Sequence, residues 1–324
     1  MRRRTGLLIL LVGATLILVA APFIGPISLP FAAVFDPLGA ESSSRIFWQI
    51  RVPRVAAAFL GGAGLAVGGA VFQAVFRNPL ATPYILGVAA GASFGVAAVA
   101  RIGIGVVILG LGLQTWSALA GALLAVSIVW LLTKIRPDAA TTTLLLAGVS
   151  LNFFFSSLIL FLQYTASFAD AYRVLRWLMG GLGGVDLTSV IQMTPFVVLG
   201  MGVIFAFGRE LDLLATGSEL AASRGVPVAR TRTTLFIATS VMVGGVVAAC
   251  GPIGFVGMMS PHICRLLLGP GHRLLLPGSA VFGGAFLVLC DTAARTMMAP
   301  AELPVGVITA FLGAPFFLWL LLRK

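Results

Sequence analysis

Charge is scarce in this chain of 324 residues: Asp, Glu, Lys and Arg together make up 10% of it, against 59% hydrophobic residues. That balance, with a mean hydropathy of +1.09, excludes a soluble globule of this length, because there is too little polar surface to coat one. Lys134 and Lys324 are the only lysines and neither follows a glycine loop; with no G-x-x-x-x-G-K-[ST] run, ATP binding by a P-loop is excluded. H-E-x-x-H and G-x-S-x-G are absent too, and the ten acidic residues do not cluster with the two histidines, so no catalytic constellation or cofactor site is expected. His262 and His272 lack partners at metal-ligand spacing and read as packing or helix-end residues, with no metal site. Cys250, Cys264 and Cys290 form no CxxC pair, which argues for small apolar fillers and against a disulfide framework. The long runs do not alternate polar with apolar, which excludes a transmembrane β-barrel.

What is present is a series of long apolar stretches separated by short charged loops. Spanning hydrocarbon takes about 20 apolar residues in a helix, the form that satisfies every backbone polar group within one segment. The spans are placed at 6–25, 52–76, 83–100, 116–133, 141–164, 190–208, 233–250, 253–268, 274–292 and 305–322. The apolar stretch 102–113, with glycine at 103, 105, 110 and 112, is expected to be a non-spanning connection or a helix extension. The expected fold is an all-α integral membrane protein of about ten transmembrane helices, one domain over 1–324. The first apolar run, behind Arg2, Arg3 and Arg4, resembles a secretory signal but is long enough to span and is expected to be retained.

Orientation follows from the basic residues, which gather in short cytoplasmic loops. With the amino terminus inside, 14 of the 21 fall on the inner side: Arg2, Arg3, Arg4, Arg77, Lys134, Arg136, Arg209, Arg224, Arg230, Arg232, Arg265, Arg273, Arg323 and Lys324. Arg45, Arg51, Arg54, Arg101, Arg173, Arg176 and Arg295 stay on the outer side or in spans, so both termini are expected in the cytoplasm. The net charge of +11 thus reflects topology; the scattered basic residues lack the interleaved aromatics of a nucleic-acid face, and no nucleic-acid partner is expected.

Glycines spaced by four, Gly87, Gly91 and Gly95 in one row and Gly64 with Gly68 in another, predict close helix approach by backbone contact. Arg54 precedes Val67-Gly68-Gly69 by the same thirteen residues that separate Arg230 from Val243-Gly244-Gly245. Those stretches lie in the second and seventh spans, five apart, which is the pattern of two inverted five-helix halves. The longest hydrophilic interruption, 209–232, carries a capping-box pattern from Thr216 to Glu219, with Gly225 and Pro227 as stop signals. It predicts a short helix over 217–224 with defined ends, suited to docking a partner.

Four ordered motifs carry a family resemblance. They are Arg51-Val52-Pro53-Arg54; Phe76-Arg77-Asn78-Pro79-Leu80-Ala81 with Leu86-Gly87-Val88; Gly251-Pro252-Ile253-Gly254-Phe255-Val256-Gly257 leading to Pro261-His262; and Glu302-Leu303-Pro304-Val305-Gly306 through Gly313-Ala314-Pro315. From about Arg51 to the end the chain resembles the FecCD family, permeases of type II ATP-binding cassette importers for iron-siderophores, haem and vitamin B12. Thr82, Gly271 and Ser260 depart from the family's usual residues, and the loop from Trp177 to Asp186 looks closer to the vitamin B12 branch. The resemblance implies a non-enzymatic permease in a bacterial inner membrane, paired with a second copy, two cytoplasmic ATPases and a periplasmic binding protein.

The same resemblance implies roles. Arg51, Arg54 and Arg295 would face outward and receive acids of the binding protein, against the simpler reading that Asp291, four residues before Arg295, neutralises it locally. Thr216, Glu219, Ala221, Ala222, Arg224 and Gly225 would form the coupling helix that sits on the ATPase. Asn152, Ser156, Ser157, Gln163 and Thr309, on the fifth and tenth spans, would line the pathway; Arg173 and Arg176, at the outer end of the fifth span, would attract anionic groups of the cargo or anchor the helix at the lipid surface. An ion-coupled secondary transporter is the alternative, but it would place carboxylates in mid-span, and Asp291 is the nearest approach to one.

Overall fold

The computed structural model describes residues 2–37, 41–102, 106–135 and 141–322. Arg136, Arg323 and Lys324, assigned above to the inner side, lie outside them. The chain runs through α1 (Arg2–Ala20), α2 (Ser42–Arg45), α3 (Val52–Val75), α4 (Val88–Ile102), α5 (Leu113–Ile135), α6 (Thr141–Tyr164), α7 (Phe168–Leu178), α8 (Leu187–Ala206), α9 (Gly208–Thr216), α10 (Ser218–Ser223), α11 (Val228–Cys250), α12 (Val256–Leu268), α13 (His272–Thr296) and α14 (Val305–Leu322).

The expected apolar segments all appear as helices, in order. Among the described residues, seven helical stretches are long and apolar enough to cross a membrane, those of α1, α3, α5, α6, α8, α11 and α13; Val88–Ile102, Val256–Leu268 and the Val305–Leu320 part of α14 are shorter apolar helices. The protein is therefore a multi-pass membrane protein.

Local chemistry accounts for the differences from the expected boundaries. The second segment begins ten residues early, at Ser42, because a π-helical turn over Ile46–Arg51 joins α2 to α3; Pro53, which has no N–H to give to the preceding turn, lies just after it. The third segment starts late: Arg77 and Gly87 have φ of 49° and 81°, and turns fill the interval before Val88. Gly87 therefore stands outside its expected glycine row. The eighth is delayed likewise by Gly251 (φ 68°) and Phe255 (φ 65°). The stretch 106–112 is the non-spanning connection, a hairpin pairing Val107–Ile108 with Leu111–Gly112.

At the centre lies α3, 20 of whose 24 residues are buried, against 3 of the 20 in Leu145–Tyr164 at the periphery. Glycine makes that centre possible. A β-carbon at Gly69 would lie 1.7 Å from the Gly257 carbonyl oxygen of α12, and one at Gly62 would lie 2.2 Å from the Gly283 carbonyl oxygen of α13. On the other side α4 meets α5 in the same way: a β-carbon at Gly91 would be 2.3 Å from the Gly121 carbonyl, and one at Gly95 would be 2.0 Å from that of Ser117. In lipid, where apolar surface drives no association between helices, such backbone contact supplies the packing. Gly64 and Gly68 both face α11, and Gly244 and Gly245 of α11 in turn face α5 and α8.

Candidate functional site

The two ends of the bundle carry different chemistry. At the end where α3 begins, Arg54 lies on the buried face of its helix and reaches α13 and the loop before α14. Its Nε and Nη2 each donate to Asp291 at 2.9–3.0 Å, and its Nη1 donates to both oxygens of Glu302 at 2.9 and 3.1 Å. Arg295, one turn beyond Asp291, donates from Nη2 to the Ala21 carbonyl at 2.6 Å and to the Thr292 hydroxyl; its Nε is 4.0 Å from Asp291. Arg51 donates to the carbonyls of Pro22, Phe23 and Ile27, gathering the chain after α1.

This corrects the outward-facing reading of the three arginines. Arg51, Arg54 and Arg295 do come together at one end, but they are 5%, 6% and 3% exposed and engaged within the chain. Desolvated guanidinium groups need pairing, and here two carboxylates and four backbone carbonyls provide most of it, with the Arg295 Nε left 4.0 Å from Asp291. Glu302, whose side chain is 37% exposed, is the charged member that reaches the surface. The i,i+4 pair of Asp291 with Arg295 is legible in the sequence; the bidentate pair with Arg54, 237 residues away, is not.

Beside the cluster, Arg54, Glu302, the glycine loop Gly181–Gly184, Arg173 and Arg176 line an open cavity. Arg173 and Arg176 are exposed, but they do not end the fifth span: they belong to α7, a separate amphipathic helix that Ser167 starts by accepting the Asp170 amide at 3.2 Å. The Ser167 hydroxyl foremost, then the nearby Arg173 and Arg101, hold the Asp170 carboxyl below the usual carboxylate range. A second cavity, of about 210 Å³, lies between α4, α6 and α7 and takes in Gln163, whose Nε2 has no hydrogen-bond partner among the described residues.

The remaining pathway candidates do not form one lining. Ser156 and Ser157 are exposed on α6, with the Ser157 hydroxyl turned back to the Phe153 carbonyl. Asn152 donates to the carbonyls of Tyr84 and Ile85 at 3.0 and 2.8 Å and so fastens the irregular entry to α4. Thr309 is fully buried and bonds Gly306 one turn back.

At the opposite end, α9 and α10 form a bent pair. The sequence pattern suggests that Thr216 caps the short helix, and the structure corrects this: Thr216 is the last residue of α9, and its hydroxyl donates to the Leu213 carbonyl at 2.7 Å. Gly217 makes the bend at φ 139°, a conformation closed to other residues. The far end of α10 matches its expected stop. Gly225 (φ 83°) donates to Ala222 and Val226 donates to Ala221, which satisfies the last carbonyls as Pro227 begins the next element. Arg232 on α11 donates to the Ser218 hydroxyl at 2.7 Å. Leu211, Leu214 and Ala221 are buried, whereas Glu219, Leu220, Ala222, Arg224 and Gly225 are exposed. Leu220, an apolar side chain 46% exposed on a polar helix, escapes sequence reasoning because a six-residue helix has no periodicity to reveal it.

The FecCD transport family model matches residues 9–323. The chain belongs to the FecCD transport family. Among FecCD proteins, the vitamin B12 import system permease protein BtuC of Escherichia coli O139:H28 is 44% identical over 280 residues, 85% of this chain and 83% of that one. BtuC of Salmonella typhi is 45% identical over 284 residues, 86% and 83% of the two chains. Among solved structures, an inward-facing transporter assigned to the metal-chelate ABC type superposes with a TM-score of 0.87 at 29% identity, covering 98% of this chain and 99% of the other. PsaBC from Streptococcus pneumoniae in complex with Fab shares the fold at TM-score 0.60 and 17% identity, covering 89% and 94%. Membership of the FecCD family makes the chain a transport permease, with its polar chemistry divided between the two ends of the bundle.

Proposed function

We propose that this chain is the membrane-embedded half of a bacterial ATP-binding cassette importer that carries vitamin B12 or an iron chelate inward, working as two copies with two ATPases and a periplasmic binding protein. The FecCD match over nearly the whole chain, with BtuC relatives above 40% identity, is the observation that carries this reading. In it, both termini and the α9–α10 pair face the cytoplasm, and the Arg54 cluster faces the periplasm in the inner membrane. The shortened third and eighth helices, each entered through glycine or proline turns and standing five apart, support ten spans in two inverted halves.

The work is mechanical. ATP draws the two ATPases together, α10 moves with the surface it sits on, and the spans around the path exchange between two packings. The gate shifts only by as much as α10 binds one ATPase state better than the other. On the outer face, the buried arginine cluster holds the loops against which the binding protein rests. Arg173 and Arg176 at the cavity mouth attract anionic groups of the cargo, and mild polarity at Ser156, Ser157 and Gln163 lets a bulky chelate leave as readily as it enters, while Asn152 and Thr309 hold the helices beside the path.

Docking through α10 is tested on its exposed face. Glu219 lies in the first turn, where even proline is tolerated, so the informative variant is Leu220→Asp with Arg224→Glu. It is expected to lower the ATPase recovered with the affinity-purified permease by about tenfold or more, as for a hot-spot loss of over ~1.4 kcal/mol, with the amount of permease in the membrane unchanged. Full recovery of ATPase would place the docking surface elsewhere.

A further inference from the structure

Two polar contacts fasten the α9–α10 pair to the longer helices: Arg232 of α11 holds Ser218 of α10, and Asp212 of α9 holds the start of α13. The first residue of α13 is His272, and the residue before it, Gly271, has no side chain to cap the helix. Asp212 of α9 supplies the missing cap from 60 residues away: its Oδ1 accepts the His272 backbone N–H at 2.8 Å and lies 2.7 Å from the ring Nδ1. A carboxylate at a helix amino terminus meets the positive end of the helix dipole, and a hydrogen bond to an ionised acceptor is about twice as strong as a neutral one. The His272 side chain is 4% exposed and that of Asp212 45%, so the contact is shielded from water on the histidine side and open on the other. Leu211 and Leu214 on the same short helix are buried, and α9 packs on both α3 and α13. From there α13 runs unbroken to Asp291 and Arg295, locked to α3 midway where Gly62 and Gly283 bring the two backbones into contact.

We propose that Asp212 and His272 form the joint that passes movement of α9 and α10 into α13, so that α9, α13 and α3 travel as one body between the ATPase face and the Arg54–Asp291–Glu302 cluster. Neither residue touches cargo or nucleotide; both are positioning residues. The inference rests on the reading of α10 as the ATPase dock. Without Asp212, α10 would still hold its ATPase, but its displacement would be taken up between α9 and α13 before it reached the outer face.

The test uses the full complex in proteoliposomes. Asp212→Ala is expected to keep ATPase recovery and hydrolysis without binding protein, while stimulation of hydrolysis by the binding protein and cargo moved per ATP fall about tenfold, a coupling loss of ordinary size. Asp212→Asn, which keeps an oxygen to accept both N–H groups, is expected to restore most of the ratio. An Asp212→Ala complex with wild-type cargo per ATP would overturn the joint. Should that variant fail to fold, a second experiment decides: Asp212→Cys with His272→Cys, in a chain whose Cys250, Cys264 and Cys290 are replaced by alanine, is bridged with a short bismaleimide. Transport surviving the bridge supports one body; transport lost on bridging, with folding intact, overturns it. Failure of the docking reading shows separately, as ATPase retained by the Leu220→Asp, Arg224→Glu variant.

Discussion

Gly69→Leu is expected to leave almost no folded protein in detergent extracts, and Gly69→Ala to lower the yield and the unfolding temperature clearly. At 1.7 Å from a backbone oxygen, the new β-carbon cannot be relieved by any side-chain rotation, because both groups are main chain. The helices α3 and α12 must separate along their length, and the contacts of Gln73 with the Gly257 and Met258 carbonyls and with Arg265 open with them. Overpacking of a tight interior costs about 1–3 kcal/mol even where neighbours can yield; a rigid backbone neighbour pushes the cost above that, against a total stability of about 5–15 kcal/mol. Gly202→Ala on α8 is the control, since nothing lies within 4 Å of its position; there, helix propensity alone predicts a gain of up to about 1 kcal/mol. Size-exclusion profiles and thermal unfolding compare the two. Equal yields from Gly69→Leu and the control would mean that α3 and α12 do not meet as described.

Asp291→Ala is expected to cost about 3–5 kcal/mol, the range for breaking a buried ion pair by removing one partner. Asp291 is 1% exposed and is held by three of the five hydrogen bonds that Arg54 makes. Without it, Arg54 keeps only the partly exposed Glu302, and Arg295 loses its nearest acid. The double variant Arg54→Met with Asp291→Leu removes both charges and is expected to be more stable than either single change, because no desolvated charge remains unpaired. Unfolding in detergent measures all three; a double variant that loses as much as the sum of its singles would show that the pair carries no coupling.

Much of this architecture is legible in the amino-acid sequence. Runs of about 20 apolar residues announce spans because hydrocarbon permits little else, and the helix stop at Gly225-Val226-Pro227 follows from local backbone chemistry. Long-range pairing is another matter. Charge position along a sequence cannot show that Arg54 takes Asp291 from its nearer neighbour Arg295, since that depends on how α3 and α13 cross. The Thr216 pattern misleads for a local reason: the capping sequence is intact, but the preceding helix α9 extends through Thr216, whose hydroxyl is spent on its own helix. α9 itself hides inside a hydrophilic interruption, and α7 hides behind the end of the fifth span. The contact of Asp212 with His272, 60 residues apart, leaves no sequence signal.

On the proposed function, this permease gates passively and takes its energy from separate ATPase subunits. Uptake of the cargo bound by the cognate periplasmic protein, measured in sealed proteoliposomes containing permease and ATPases with MgATP on the ATPase side, tests it most directly. Accumulation against a gradient that requires both the ATPases and ATP is the predicted result. Accumulation by the permease alone, driven by an imposed ion gradient without ATP, would contradict it.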